Sequence, residues 1–223
     1  MMFINMKVLE LFAGSRCIGK QAEAMGHEVY SIDWDGYEGI DRQMDIEDLQ
    51  LHHVPFIPDH VHASFDCTTY TISAISTHRN GQEPKSEYAK KCDRVNQHVI
   101  FLIKEWKKIN PNLTFSFENP RGMLRHMDWM KEFTRHTVWY CQYGDDRAKP
   151  TDIWTNLENW TPRPMCRNYK YDSEGNIIDK HCHHESARRG AKTGTQGRKG
   201  SYERSKIPTE LCKEILSAAA AGC

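Results

Sequence analysis

The amino-terminal part of the chain alternates two apolar stretches with one segment of helical character. Residues 7–12 run directly into a turn at Gly14. Residues 17–25 have helical character, and residues 27–32 form a second apolar stretch that leads to Asp33. Strand, glycine turn, helix and strand in this order form the first half of a nucleotide-binding βαβ unit. We therefore expect an α/β fold of the Rossmann-like kind, with a mostly parallel twisted sheet and helices on both faces.

The turn and the acid after the second strand predict a site for a nucleotide-like cofactor. A glycine at position 14 lets the backbone approach a ligand, and Asp33 can accept hydrogen bonds from both hydroxyls of a ribose. Trp34 stands beside this acid, where it can lie flat on an adenine ring. Taken alone, Trp34 is better explained as a packing residue and Asp33 as a surface cap. Their order after the glycine turn favours the cofactor site.

The same turn admits a second interpretation. Residues 14–20 have the spacing of a phosphate-cradling loop, with Lys20 in the position that holds phosphates. Gln21 stands where that loop requires a serine or threonine hydroxyl for magnesium, so the match is incomplete. A nucleoside triphosphatase is therefore kept as an alternative.

A cysteine and a glutamate each follow the end of a predicted strand. Cys67 comes after a buried strand that ends near residues 63–64, and Glu118 follows the alternating residues 113–117. Because parallel strands deliver their carboxyl ends to one edge of a sheet, the two side chains can meet in one pocket. Cys67 is then a candidate nucleophile and Glu118 its partner acid. The alternatives are a small apolar filler for Cys67 and a cap or ion pair for Glu118.

A basic pair is predicted near the same edge. Residues 86–109 form an amphipathic helix whose apolar stripe is core. A short helix over residues 123–133 and a strand over residues 137–143 follow. Arg147 and Lys149 lie in the next turn, spaced to hold a phosphate or an acid. A solvated turn is the alternative for this pair.

Composition limits the partner and the compartment. With 30 basic and 30 acidic side chains, contact with nucleic acid requires a local basic patch rather than a uniformly cationic surface. No stretch is apolar enough to span a bilayer, and residues 1–5 do not begin a signal peptide. We expect a soluble cytoplasmic protein whose eight cysteines stay reduced, which favours thiol chemistry or a metal over disulfides.

The ordered set of motifs resembles the DNA (cytosine-5) methyltransferase family, in particular its compact bacterial and bacteriophage members. The motifs that carry the resemblance are, in chain order, residues 11–15, 33–35 and 45–46, Cys67, residues 118–120 and 143–149, and residues 205–208 with Leu211 and Ile215. Their order is specific, and together they cover nearly the whole chain.

The resemblance implies methyl transfer from S-adenosylmethionine to carbon 5 of a cytosine flipped out of double-stranded DNA. Cys67 would form a covalent adduct at carbon 6, and Glu118 would hydrogen-bond ring nitrogen 3 and the amino group. Arg147 or Lys149 would hold the base or its phosphate. We expect no membrane association and no obligate protein partner. The residues implied for the cofactor are Phe12, Ala13, Gly14, Ser15, Asp33, Trp34, Asp45 and Ile46.

Several positions depart from the family pattern. Arg16 and Cys17 stand where a second glycine is common, and Phe65 and Asp66 replace two prolines before the nucleophile. A carboxylate at Asp66 is expected to raise the pKa of the neighbouring Cys67 thiol. The glutamine of the family's glutamine-x-arginine motif has no clear counterpart. A DNA-binding protein that keeps the fold without catalysis is therefore a second hypothesis.

The C-terminal third is predicted to contact DNA. We expect a catalytic domain over residues 1–156, a small recognition segment over 157–204, and a helix over 205–223 that returns to the catalytic domain. A glycine-rich loop in this region suits phosphate contacts, with a solvated loop as the alternative. Its basic residues are Arg188, Arg189, Lys192, Arg198, Lys199, Arg204 and Lys206.

Cysteines and histidines in the same segment suggest a structural zinc ion. A structural zinc site needs four ligands of tetrahedral geometry. Cys166, Cys182, His183 and His184 are the candidates, with His181 or another cysteine completing the set. Their spacing matches no standard zinc finger.

Overall fold

The computed structural model describes residues 5–168, 170–171, 174, 176–179, 182, 184 and 200–222. Its strands are β1 (Lys7–Leu11), β2 (Glu28–Asp33), β3 (Arg42–Gln43), β4 (His60–Ser64), β5 (Arg79–Asn80), β6 (Glu83–Pro84), β7 (Thr114–Pro120), β8 (Arg135–Trp139), β9 (Pro150–Thr155), β10 (Lys170–Tyr171) and β11 (Ile177–Asp179). Its α-helices are α1 (Cys17–Ala24), α2 (Ile75–His78), α3 (Glu87–Ile109), α4 (Ser201–Ser205) and α5 (Thr209–Ala221). Short 3-10 turns cover Ile46–Asp48, Leu51–His53, Met123–His126, Asp128–Met130 and Tyr140–Tyr143. We call the last of these the Tyr140 turn.

A seven-stranded sheet in the order β3-β2-β1-β4-β7-β9-β8 organises the molecule. The strands from β3 to β7 are all parallel, whereas β9 runs antiparallel to both of its neighbours. The strand order reverses between β1 and β4, which is where open α/β sheets bind ligands at the carboxyl ends of their strands. The Rossmann-like architecture predicted from the sequence is confirmed.

Helices cover both faces of this sheet, as predicted. Successive side chains of a strand point to opposite faces, so Leu9 and Leu11 of β1 join the apolar cluster under α3, together with Trp106. Val8 joins a second cluster with Leu211 of α5, where α1 and α5 pack against each other. Burial of a side chain such as Leu211 contributes about 2 kcal/mol, so α5 is held firmly on this face.

The strand predicted over residues 113–117 is longer in the structure, because β7 continues through Pro120. Its last residues pair with the reversed strand β9, which places Glu118 opposite Ile153. Glu118 therefore lies within a strand rather than after one. The hydrogen bonds of two neighbouring strands fix its backbone.

Two other predicted elements are divided differently. The short helix over residues 123–133 is two 3-10 turns, because the backbone of Met127 between them is extended, with a ψ of 130°. The strand over residues 137–143 ends at Trp139, after which the chain tightens into the Tyr140 turn. This change of path brings the turn towards α5.

The C-terminal region is described in part. Helix α5 lies against α1 and the Tyr140 turn, while the proposed division at residues 156 and 204 stays a prediction. No helix among the described residues combines the length and the apolar character needed to cross a bilayer. The predicted residues that lie outside the described ones are His181, His183, Arg188, Arg189, Lys192, Arg198 and Lys199.

Candidate active site

The predicted nucleophile Cys67 and its partner acid Glu118, two of the four predicted catalytic residues, lie at the carboxyl ends of adjacent parallel strands. β4 ends at Ser64, which pairs with Glu118 of β7. The backbone N–H of Phe65 then donates to the carbonyl oxygen of Glu118 at 3.1 Å. The side-chain amide nitrogen of Asn119 donates to the carbonyl oxygen of Phe65 at 2.8 Å. Both backbone groups of Phe65 are thus tied to β7, and they fix the turn that carries Cys67.

Phe65, which departs from the family pattern, has a packing role. Its side chain is buried, with its ring stacked on Phe117 at a centroid distance of 4.9 Å. The ring of Phe12 meets it edge to face at 5.9 Å. Phe65 therefore links the turn after β1 to the turn that carries Cys67, because one ring contacts both the core and the predicted cofactor loop.

Glu118 belongs to a buried polar cluster with Tyr140 and Lys149. The hydroxyl of Tyr140 donates to Oε1 of Glu118 at 2.9 Å, and Nζ of Lys149 lies 3.9 Å from the same oxygen. Burial raises the pKa of Glu118, while Lys149 and Tyr140 oppose this shift. Burial lowers the pKa of Lys149, which Glu118 opposes. Burial favours the neutral form of each group, whereas their mutual attraction favours the charged pair. Glu118 can therefore accept a hydrogen bond as a carboxylate or carry a proton and donate one.

The thiol of Cys67 is half-buried, and its surroundings favour the protonated form. Burial, together with the charges of Asp66 and Glu118, raises its pKa to about 11, whereas Lys149 lowers it. Asp66 is itself held by hydrogen bonds from the backbone of Thr68, at 2.7 Å, and from the hydroxyl of Tyr88. Lys149 is the cation that favours the thiolate, so the thiol, Glu118 and Lys149 share one electrostatic neighbourhood.

Arg147 has different contacts from Lys149. Its guanidinium binds both carboxylate oxygens of Asp145 and donates to the carbonyl oxygens of Arg204 and Lys206, at 3.0 Å each. Only 1% of Arg147 is exposed. It therefore fastens the turn before β9 to the segment that precedes α5. Nζ of Lys149 also donates to the carbonyl of Arg204, at 3.1 Å, but reaches Glu118 as well.

The predicted cofactor turn is tethered to the acid at the end of β2. Phe12, Gly14 and Arg16 all have left-handed backbone, with φ of 53°, 46° and 55°. This conformation is costly for residues other than glycine. The N–H of Gly14 donates to Oδ2 of Asp33, and the N–H of Asp35 donates to Oδ1, both at 2.9 Å. Burial raises the pKa of Asp33, and these bonds oppose the shift.

The remaining predicted cofactor residues differ in exposure. Trp34 is 68% exposed, so its indole presents an open face beside Asp33. Asp45 begins the turn Ile46–Asp48, accepting from the N–H of Glu47 at 3.0 Å and pairing with Lys91. Ala13, Ser15 and Ile46 are buried.

These residues fit an adenosine-containing cofactor. A carboxylate offers about four lone-pair positions, and the backbone bonds to Asp33 do not use all of them, which leaves room for a ribose hydroxyl. The exposed indole of Trp34 offers a stacking surface for a base. A cleft of about 280 Å³ lies beside this edge, between the start of α1 and the segment before α5, and Ser15 is the one predicted cofactor residue that lines it.

The turn after β1 is poorly suited to phosphate. The buried carboxylate of Glu10 accepts from the N–H of Ile18 at 3.1 Å, which is one of the amides that a phosphate would require. A Cβ added to Gly19 would lie 2.5 Å from Oε2 of Glu10. Arg16 is also used internally, donating to Ser31 at 3.0 Å and to Glu23 at 2.5 Å. This arrangement disfavours the triphosphatase alternative.

Cysteine and histidine side chains form a separate cluster. The possible ligand atoms of Cys141, Cys166, Cys182 and His184 all lie within 4.8 Å of one another. Three of these residues are among the zinc ligands predicted from the sequence, and Cys141 is the further cysteine that the prediction left open. The cluster lies next to Tyr140 along the chain.

Comparison with known proteins supports the fold. No protein-family model matches the chain, and no curated protein sequence matches it. Among solved structures, the Entamoeba histolytica methyltransferase EhMeth is 12% identical with a TM-score of 0.51, over 73% of this chain and 57% of that one. A DNMT2 mutant of Spodoptera frugiperda is 17% identical with a TM-score of 0.47, over 71% of this chain and 53% of that one. The S. pombe Dnmt2 methyltransferase is 13% identical with a TM-score of 0.46, over 71% and 52%. The chain spans about half the length of these proteins, and the likeness to EhMeth shows a Rossmann-like methyltransferase fold.

Tyr140 and Asn119 were not predicted as site residues in their own right. Asn119 stands inside the glutamate-asparagine motif, so its position carried a signal. Tyr140 fell within a predicted strand, where a tyrosine is ordinary. Only the turn after β8 and its packing against β7 bring the hydroxyl to Glu118.

Proposed function

We propose that this protein transfers a methyl group from S-adenosylmethionine to carbon 5 of a flipped-out cytosine in DNA. The observation that carries the proposal is the grouping of Cys67, Glu118 and Lys149 at the carboxyl ends of two adjacent parallel strands. The Rossmann-like methyltransferase fold supports the cofactor half of the proposal.

The proposed chemistry begins at carbon 6 of the cytosine ring. Carbon 5 is a poor nucleophile until another nucleophile adds at carbon 6, and the Cys67 thiolate would form that bond. The ring electrons then move towards nitrogen 3, where a protonated Glu118 would donate a hydrogen bond or its proton. S-adenosylmethionine, when bound, supplies the methyl group. Water would then take the proton from carbon 5, the Cys67 sulfur would leave carbon 6 as the thiolate, and nitrogen 3 would return any proton it received to Glu118, which restores the aromatic ring.

Activation of the thiol is part of this proposal. A thiol with a raised pKa needs help to lose its proton, and the ammonium of Lys149 is the group that favours the thiolate. A base bound to Glu118 would engage the carboxyl group that otherwise opposes ionisation of Cys67. Entry of the base would therefore lower the pKa of the Cys67 thiol, so the thiolate would form once the cytosine is bound.

Residues at the adjacent strand ends would hold the cofactor. Asp33 would accept the ribose hydroxyls, Trp34 would stack on the adenine, and Asp45 with Ile46 would border the ring. The left-handed turn at Gly14 brings backbone close to this edge. Phe12 would complete the wall, since its ring already contacts Phe65 of the nucleophile turn.

Double-stranded DNA is the proposed partner. A cytosine inside a duplex cannot present carbon 6 to a thiol, so the base must be flipped out at a cost of about a few kcal/mol. The basic loop of the sequence ends at Arg204 and Lys206, whose carbonyl oxygens contact Arg147 and, for Arg204, also Lys149. This supports delivery of the DNA backbone to the edge that holds Cys67.

A methyl-transfer assay with two DNA substrates tests the proposal. The protein is incubated with S-adenosylmethionine labelled in its methyl group and a cytosine-containing duplex, and the nucleosides are analysed by mass spectrometry. We expect labelled 5-methylcytosine from the parent and from Cys92→Ala, a buried cysteine of α3, but none from Cys67→Ser. A duplex with 5-fluorocytosine should trap the parent covalently, because fluorine cannot leave as the proton does.

The outcomes separate the parts of the proposal. Transfer by Cys67→Ser at the parental rate would overturn the adduct mechanism. Label found only in RNA, with RNA offered in parallel, would overturn the choice of DNA. Duplex binding without transfer by any sample would favour the non-catalytic alternative.

A further inference from the structure

The Tyr140 turn meets the C-terminal segment at a group of thiols and one imidazole. Cys141 comes from the turn itself, whereas Cys166, Cys182 and His184 come from the segment that follows β9. Sγ of Cys166 lies 3.7 Å from Nδ1 of His184. Cys141 is buried and the other three are half-buried. The group is therefore partly shielded from solvent, while an ion can still reach it.

We propose that these four side chains bind a structural zinc ion. Three thiolates and one imidazole form one of the ligand sets that zinc uses in closed, tetrahedral sites. Two sulfurs bound to one zinc at about 2.3 Å lie about 3.8 Å apart at the tetrahedral angle. No two ligand atoms of the group are more than 4.8 Å apart, so they would need to approach each other by about 1 Å at most.

Other chemistries suit the group less well. A disulfide would join two of the sulfurs and leave a third cysteine and a histidine gathered around it without a reason. A cluster of several iron atoms places its ligands on different metal atoms, which requires wider separations than a single ion. One tetrahedral ion uses all four groups at once, and Asn168 already donates its N–H to Sγ of Cys166 at 3.4 Å. Such N–H bonds to thiolates are typical supports around metal ligands.

The position of Cys141 gives the ion a mechanical role. Its neighbour Tyr140 holds Glu118 through a hydroxyl bond of 2.9 Å. The hydroxyl of Tyr143, two residues after Cys141, accepts from the N–H of Arg163 at 2.9 Å. Arg163 also donates to the carbonyl of Gln142 at 2.8 Å. Protein hydrogen bonds thus already join the turn to the start of the segment.

Zinc would extend this junction to Cys182 and His184, further along the segment. Cys182 and His184 are separated by one residue, and binding both would fix the chain close to the Tyr140 turn. The proposed recognition segment and the turn that positions Glu118 would then be one body. This consequence for catalysis rests on the proposed function, whereas metal binding does not.

Metal analysis of the full chain tests the site. We expect one zinc ion per chain in protein purified without chelator. Cys166→Ser and His184→Ala should lower the affinity for zinc, measured by competition with a chelator, by at least about tenfold, since outer ligands alone cost that much and these are direct ligands. Cys92→Ala is the matched control and should retain one ion, because Cys92 lies on α3 outside the cluster.

Cobalt spectroscopy keeps the test independent of whether the variants fold. The parent loaded with Co²⁺ should show intense visible bands of a tetrahedral ion and a thiolate charge-transfer band in the near ultraviolet. A parent chain with fully reduced thiols that neither contains zinc nor takes up cobalt would overturn the inference, as would an octahedral spectrum without thiolate bands. Loss of the metal in the Cys92 variant, to the same degree as in the Cys166 variant, would also count against it.

Failure of this inference and failure of the proposed function can be told apart. A chain that binds one zinc and transfers no methyl group would uphold the metal site and remove the proposed reaction. A chain that methylates cytosine without any metal would remove the metal site and uphold the proposed reaction. If both hold, a strong chelator should lower methyl transfer and the melting temperature together, and added zinc should restore them.

Discussion

The side-chain amide nitrogen of Asn119 donates to the carbonyl oxygen of Phe65 at 2.8 Å, so a buried strand residue holds the turn that carries Cys67. The opposite end of the same amide, Oδ1, is buried without a hydrogen-bond partner among the described residues. Asn119 therefore holds the turn through the N–H group of its side-chain amide. The position of the thiol depends on a bond made two residues before it.

Replacing Asn119 with Asp keeps the shape of the side chain and removes its donor. We expect Asn119→Asp to lower the free energy of unfolding by about 1–3 kcal/mol, because two buried oxygens would then face each other. Urea unfolding measures the change. Asn112→Asp is the control, since Asn112 is exposed and should change the value by less than about 0.5 kcal/mol. Equal stability of parent and Asn119→Asp would show that the bond does not hold the turn.

The charges around Cys67 should control its reaction with iodoacetamide in opposite directions. Burial, Asp66 and Glu118 raise the pKa of the thiol to about 11, and Lys149 lowers it. At mildly alkaline pH we expect Glu118→Gln to be alkylated faster than the parent and Lys149→Met more slowly, since only the thiolate reacts. Mass spectrometry of the Cys67 peptide gives the rates, and Cys67→Ser identifies the peptide. The same direction of change in both variants would refute the shared electrostatic site.

Arg147 should matter more for stability than its neighbour in the catalytic cluster. Arg147→Met removes the ion pair with the half-buried Asp145 and two bonds to carbonyl oxygens, so we expect a loss of up to about 3–5 kcal/mol. Thermal and urea unfolding measure it. Arg135→Met, at an exposed position of β8, is the control. A variant as stable as the parent that has lost only methyl transfer would instead place Arg147 in contact with the substrate.

Two buried histidines of β4 should make the protein sensitive to acid. His60 and His62 bond to hydroxyls of Thr114, Ser116 and Ser64, and burial lowers the pKa of both to about 3. The unfolded chain takes up these protons near pH 6.5 and the folded chain only near pH 3. Above about pH 6.5 both histidines are neutral in the folded and the unfolded chain, so their protonation does not affect stability. Between about pH 6.5 and 3 only the unfolded chain binds these protons, so stability falls as the pH falls.

The slope of stability against pH measures this effect. Each histidine should contribute up to about 1.4 kcal/mol per pH unit between about pH 6 and 5, where most carboxyl groups remain ionised. His62→Asn, with a side chain that cannot gain a proton, should remove about half of the combined slope. His52→Asn changes an exposed residue and should leave it unchanged. A parental slope no steeper than that of His62→Asn would contradict the assignment.

Strand ends could be predicted from the sequence because their pattern is local. An apolar run followed at once by a polar side chain marks where a strand leaves the core, and this identified the neighbourhoods of Asp33, Cys67 and Glu118. The parallel arrangement then brings these side chains to one edge. The sequence is therefore sufficient to predict those roles that depend on where a residue's own strand ends.

Roles that depend on the reversed strand and the turns around it could not be predicted in this way. Arg147 and Lys149 are two residues apart in one turn, and nothing local says that one binds Asp145 while the other faces Glu118. Lys149 has a φ of 25°, which redirects the chain between them. Cys141 is equally ordinary in sequence, since its partners lie far along the chain.

Glu10 of β1 affects which groups the turn after this strand can bind, because it already accepts a backbone hydrogen bond there. Its buried carboxylate sits against the start of α1 and accepts from the N–H of Ile18. The phosphates of adenosine triphosphate would have to compete with this carboxyl group for the N–H of Ile18. An adenosine that carries a sulfonium cation in place of phosphates meets no such conflict. One buried acid of β1 thus occupies a backbone N–H that a phosphate-binding turn would leave open.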